Sequence, residues 1–159
     1  KNKTVADGGQ ATVSPKAPTT RKYLIPVWRW SSDGVCTGWW RREVWSIDEL
    51  MWWIRDHVRE YGGNVVVLNA VVPPASDAFM YYMPIDASTA LKIIETMKPI
   101  SYVGHEDTAK LLGVQLNRGL YTPRLGDVAV VVRLRGRRPG GEVKGITLDD
   151  LEFALLWYL

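Results

Sequence analysis

NVVVLNAVV, Asn64 to Val72, carries no polar residue between its first asparagine and Asn69. Four of the apolar residues in a row are β-branched valines and a leucine. A strand exposed on one face would alternate polar and apolar side chains, because successive residues point to opposite faces. A strand covered on both faces loses that alternation and reads as a continuous apolar run. The stretch is therefore expected to be a buried strand of the kind found in parallel sheets, and it sets the class as α/β. Asn69 then falls where the strand ends, which in α/β sheets is where ligands bind, although asparagine is also an ordinary turn former.

The segments after it fit that class. AFMYYM reads as a second short strand. DASTALKIIETMK is a helix capped by Asp86 or Ser88, with Ala90, Leu91, Ile94 and Met97 facing inward. ISYV is a strand, HEDTAKLL a short helix closed by Gly113, LYTPRLGD a strand and turn, and VAVVVRLR a strong strand. GRRPGGEVKG is a basic loop. TLDDLEFALLWYL reads as a capped terminal helix, or as a helix running into a final strand. Residues 64–159 thus form one compact mixed β-sheet flanked by helices.

Upstream, the composition changes. Seven of the eight tryptophans lie between Tyr23 and Tyr61, so this part has its own apolar face to bury. YLIPVWRW and CTGWWRREVW flank the turn signal SSDG and predict a β-hairpin. SIDELMWWIRDHVREYGG predicts a helix. Ser46 and Glu49 have capping-box spacing, a stripe runs through Ile47, Leu50, Met51, Ile54, Val58 and Tyr61, and Gly62 and Gly63 end it. His57 lies beside that stripe and is read as a packed histidine. Residues 1–22 have few large apolar groups and are read as a flexible tail. Residues 23–63 are then a Trp-rich hairpin-plus-helix extension of the main domain.

The composition excludes several classes. No apolar run reaches the roughly 18 residues of a membrane span, and no membrane association is expected. Cys36 is alone, so an intrachain disulfide is excluded and an intracellular setting is favoured. His57, His105 and Cys36 lie far apart in sequence, without the ligand spacing of a zinc site, so neither metal nor cofactor is expected. A net charge of +3 suits anionic ligands without demanding them.

YVGHEDTAKLLG, Tyr102 to Gly113, places Gly104 and His105 where a strand hands over to a helix. Gly104 would let a phosphate approach the backbone, and an imidazole exchanges protons near neutrality. A turn histidine is the alternative reading of these residues. In VVVRLRGRRPGG, Arg133, Arg135 and Arg137 would share one face if the strand continued, and guanidinium forks suit phosphate oxygens. A solvated basic loop is the alternative there.

Several of these elements, in this order, resemble the viral ring nucleases, the type III anti-CRISPR proteins of archaeal viruses and phages. VVVLNA is similar to their opening strand. ISYVGHEDTAKLLGVQLNR is similar to their signature segment, with the G-H pair, a threonine (Thr108) three residues on, and a later N-R. GDVAVVVRLRGRRPGGEV is similar to their strand-and-arginine element, and LEFALL to their closing segment. The resemblance spans Asn64 to Leu159. It implies a homodimer in the host cytoplasm that binds cyclic tetra-adenylate and opens it, without metal, to linear di-adenylate. It puts the catalytic histidine on His105, the substrate-contacting asparagine on Asn69 and the loop arginine on Arg137; beside these, Gly104 and Thr108 are read as substrate contacts and Arg135 as a second cation for the phosphate. The chain departs from the family in three ways. PGG stands where a glutamate often follows the loop arginine, the helix after His105 is about a turn shorter, and the Trp-rich extension has no counterpart. The competing expectation is a protein on the same fold that holds a cyclic oligonucleotide or nucleic acid without cleaving it.

Overall fold

The computed structural model describes residues 18–30, 36–74, 78–136 and 145–159. Its N-terminal element is a hairpin of β1 (Pro18–Trp30) and β2 (Cys36–Ser46), paired antiparallel. β1 begins at Pro18, inside the stretch read as tail. The helix α1 (Ile47–Tyr61) follows directly. Ser46 caps it by accepting the Glu49 N–H at 3.1 Å, and Gly62 closes it in the left-handed region at φ 71°. Both ends are where the sequence put them. Of the expected stripe, Ile47, Leu50, Met51 and Ile54 are buried, and His57 joins them.

The main sheet has five strands: β3 (Val65–Leu68), β4 (Met80–Ile85), β5 (Ile100–Tyr102), β6 (Val128–Leu134) and β7 (Leu151–Tyr158). Their order across the sheet is β4-β7-β6-β3-β5. β3 runs parallel to both β5 and β6, while β7 is antiparallel to β6 and to β4. The class is the expected mixed α/β. Two more helices complete it. α2 (Ala87–Met97) is capped by Asp86, which accepts the Thr89 N–H, and α3 (Glu106–Leu112) ends at Gly113.

Alternation along the central strands divides the interior in two. Val128, Val130 and Val132 of β6, with Leu151, Phe153, Leu155 and Trp157 of β7, face the side carrying the helices. Ala129, Val131, Leu156 and Tyr158 face the other side, with Val66, Leu68 and Tyr121. The first cluster also contains Tyr23, Ile25, Val27, Val44, Leu50 and Ile54. The described part of the Trp-rich extension therefore shares one core with the sheet. Polar ties reinforce this: the Tyr81 hydroxyl donates to the Leu24 carbonyl at 2.6 Å, and the Asp86 N–H donates to Tyr23 Oη at 3.1 Å.

Of the two readings of TLDDLEFALLWYL, the helix running into a final strand holds in shortened form: a single 3-10 turn at Leu148–Asp150 leads into β7. Both faces of β7 are buried, so its apolar run shows neither a 2-residue nor a 3.6-residue period. LYTPRLGD forms no strand. It is a loop around the buried Asp127, which accepts hydrogen bonds from the Asn64 N–H, the Arg124 N–H and the Tyr121 hydroxyl. In α2, Ile93 is fully buried, and it, not Leu91, makes the deepest inward contact beside Ala90.

His57 is packed, as expected, and this has a consequence in acid. Its Nε2 lies 3.3 Å from the Tyr158 carbonyl, and its ring meets Trp157 edge-on. Burial holds its pKa below the ordinary imidazole value, against the opposing pull of that carbonyl, Asp56 and Asp127. A histidine whose folded-state pKa is depressed adds stability above its unfolded pKa of about 6.5, and that stability falls away as pH drops below it. Melting temperature is therefore expected to decline between pH 7.5 and 5.5, and the decline to flatten in His57→Gln. An equal decline in both proteins would assign the effect to other groups.

Candidate functional site

Parallel pairing brings three strand ends together. Leu68 of β3 pairs with Tyr102 of β5 and with Val131 of β6, so β6 runs on past the end of β3 as a wall, Val132 to Leu134. The chain leaves β3 at Asn69 and leaves β5 at Val103-Gly104-His105. A cleft of about 300 Å³ lies at these ends. Its polar lining comes from Asn69 after β3, from His105, Asp107 and Thr108 at the start of α3, and from Arg133 of β6, and its apolar lining includes Val71, Leu134, Ile146 and Leu151. This is the crevice outside the carboxyl ends of parallel strands where α/β proteins bind ligands.

His105 is the N-cap residue of α3, yet its side chain makes no capping hydrogen bond. Serine or aspartate at that position would turn back on the helix. The imidazole is exposed at the mouth of the cleft and has no hydrogen-bond partner among the described residues. Thr108, one turn on, is buried in the cleft wall, and Ala109 and Leu112 anchor the helix in the core.

The other expected site residues are placed differently. Gly104 does not line the cleft. Its carbonyl accepts a hydrogen bond from Nε of Arg118 at 3.0 Å, and a Cβ there would come no nearer than 3.4 Å to any neighbour, an ordinary contact with the Arg118 side chain. Nothing in its backbone requires glycine. Arg135 follows the end of β6, so the alternation expected to align it with Arg133 stops short of it. Its guanidinium donates to the carbonyls of Asp149 and Leu151, at 3.2 and 3.1 Å, and fixes the turn into β7. Arg133 pairs with Glu152 at 3.1 Å and lies over the Tyr82 ring. Arg137 lies outside the described residues.

Arg118 ends the segment that resembles the family's signature. The loop carrying it is tied to β5: the Asn117 N–H donates to the Val103 carbonyl and Asn117 Nδ2 to the Ser101 carbonyl. The arginine is thereby held one residue from His105. Only the fold reveals this, since twelve residues of helix and loop lie between the two in sequence. Among the described residues, no three His, Cys, Asp or Glu side chains come together as metal ligands, and no helix is long and apolar enough to cross a membrane.

A family model described as STIV B116-like matches residues 65–155. The chain belongs to the STIV B116-like family. The match begins at the first residue of β3, so the hairpin and α1 lie outside it, while Asn69, His105 and Thr108 lie within it. Among solved structures, B116 of Sulfolobus turreted icosahedral virus is similar at 19% identity and a TM-score of 0.47. That match covers 60% of this chain and 99% of B116. No curated protein matches.

Proposed function

We propose that this STIV B116-like protein is a ring nuclease. It binds cyclic tetra-adenylate as a homodimer in the host cytoplasm, opens it to linear di-adenylate, and so suppresses type III CRISPR signalling. The observation that carries the reading is the convergence of Asn69 and His105 on one cleft, with the imidazole left unengaged by its own helix. The order of the matched segments adds the resemblance to the viral ring nucleases. A two-fold dimer also suits a ring with two-fold symmetry.

The chemistry asks little of the protein beyond placement. The nucleophile is a ribose 2′-hydroxyl already in the substrate, so attack is intramolecular, and a correct in-line geometry is worth several kcal/mol, on the order of 7–11 in the best cases. Asn69 and Thr108 hold the ribose and phosphate. His105 protonates the departing 5′-oxygen. Cations near the phosphorus offset the charge of the phosphorane, a role that the resemblance gives to the loop arginine, Arg137. The product carries a 2′,3′-cyclic phosphate.

The test is incubation with cyclic tetra-adenylate in EDTA, with product followed by chromatography. Linear di-adenylate is expected. Tight binding with no product would replace this reading with that of a protein that sequesters the ring.

A further inference from the structure

Asp107 shares the cleft with His105 and is the one carboxylate among its described lining residues. It is half-buried, and it makes no ion pair or hydrogen bond with a described residue. Its neighbour Glu106 behaves differently, reaching Lys110 at 3.9 Å on the exposed side of α3. Asp107 is thus an unpaired negative charge in a cleft that, on the reading above, takes a polyanion. Such a charge weakens ground-state binding of phosphate. A helix-dipole contribution from the first turn, about 0.3–1 kcal/mol, is equally available to an exposed residue such as Glu106 and does not account for the position.

We propose that Asp107 is the general base of the ring-opening reaction, working with His105 as the acid; this rests on the ring-nuclease reading. The carboxylate takes the proton of the ribose 2′-hydroxyl as its oxygen attacks phosphorus. The O2′–P bond forms, the P–O5′ bond breaks, and the imidazolium of His105 delivers its proton to O5′. One proton enters the enzyme and one leaves it, so the protein ends with neutral His105 and protonated Asp107, and exchange with water restores both. Two groups of opposite role thus line one cleft.

The other groups facing Asp107 are few. Asn69 and Thr108 do not titrate. Arg133, from β6, is paired with Glu152, and the segment from Ile146 to Leu151 presents apolar side chains to the cleft. A general-base carboxylate acting with a general acid gives a bell-shaped pH–rate profile whose acid limb is lost when the carboxylate is removed.

The experiment compares wild type with Asp107→Asn and Asp107→Ser on cyclic tetra-adenylate, measuring kcat, KM and the pH–rate profile. A fall in kcat of about 10²-fold or more, no rise in KM, and loss of the acid limb are expected in both variants. Unchanged kcat, or an acid limb that persists in Asp107→Asn, would overturn the assignment while leaving the ring-nuclease reading intact. A raised KM with normal kcat would make Asp107 a binding residue and overturn it too. Absence of product from the wild type removes both proposals together.

Discussion

His105→Ala is expected to slow opening of cyclic tetra-adenylate by about 10²–10⁴-fold, the usual worth of a positioned general acid, or roughly 3–5 kcal/mol of barrier. It should do so with almost no loss of stability. The imidazole is exposed and makes no capping bond, while the burial that holds α3 comes from Thr108, Ala109 and Leu112. Activity and melting temperature are thus predicted to separate at this residue. A second substrate makes the test specific. If the 5′-bridging oxygen is replaced by sulfur, the leaving thiolate needs no proton, and His105→Ala should cleave that linkage at close to the wild-type rate. A defect equally large on both substrates would mean that His105 orients or binds the ring without protonating the leaving group. Equal cleavage of the natural ring by both proteins would remove His105 from the mechanism.

Local chemistry made the helices legible. Ser46 and Gly62 bracket α1, Asp86 opens α2 and Gly113 ends α3, because caps satisfy backbone groups within a few residues and leave their mark in the sequence. Strands β3 and β6 were legible for the opposite reason, since burial on both faces demands uninterrupted apolar character. The same property hid β7: once alternation is gone, LEFALLWY fits a buried helix as well as a central strand. The site divides along similar lines. Asn69 and His105 were legible because each stands at the end of a strand that could be recognised. Arg135 was misplaced because its role depends on where β6 stops and on the carbonyls of a turn from a distant segment. Arg118 and Asp107 carry no local signal, and their positions follow from which strand ends the parallel pairing brings together.

The joint between the Trp-rich extension and the sheet yields the largest expected stability effect. Gly62 and Gly63 looked like equivalent helix terminators, but the fold uses them differently. Gly62 sits at φ 71° with open space around it, so alanine there meets only the left-handed backbone penalty, about 1–2 kcal/mol. Gly63 needs no unusual φ, yet a Cβ would lie 2.2 Å from the backbone carbon and oxygen of Gly126 and 2.5 Å from the Asp127 nitrogen. Backbone cannot rotate aside as a flexible side chain can. The corner between α1 and β3 would have to part from the turn that holds Asp127, itself fixed by the hydrogen bonds that Asp127 accepts from Asn64, Arg124 and Tyr121. Gly63→Ala should therefore cost about 3 kcal/mol or more, clearly above Gly62→Ala, in urea unfolding followed by tryptophan fluorescence. Trp157 lies in the sheet and Trp53 packs against the same core from α1, so the transition reports on both sides of the joint. Since hairpin, α1 and sheet share that core, Gly63→Ala should shift one cooperative transition to lower urea. Two separate transitions would show that the extension unfolds by itself, and equal losses from Gly62→Ala and Gly63→Ala would refute the close contact between Gly63 and Gly126.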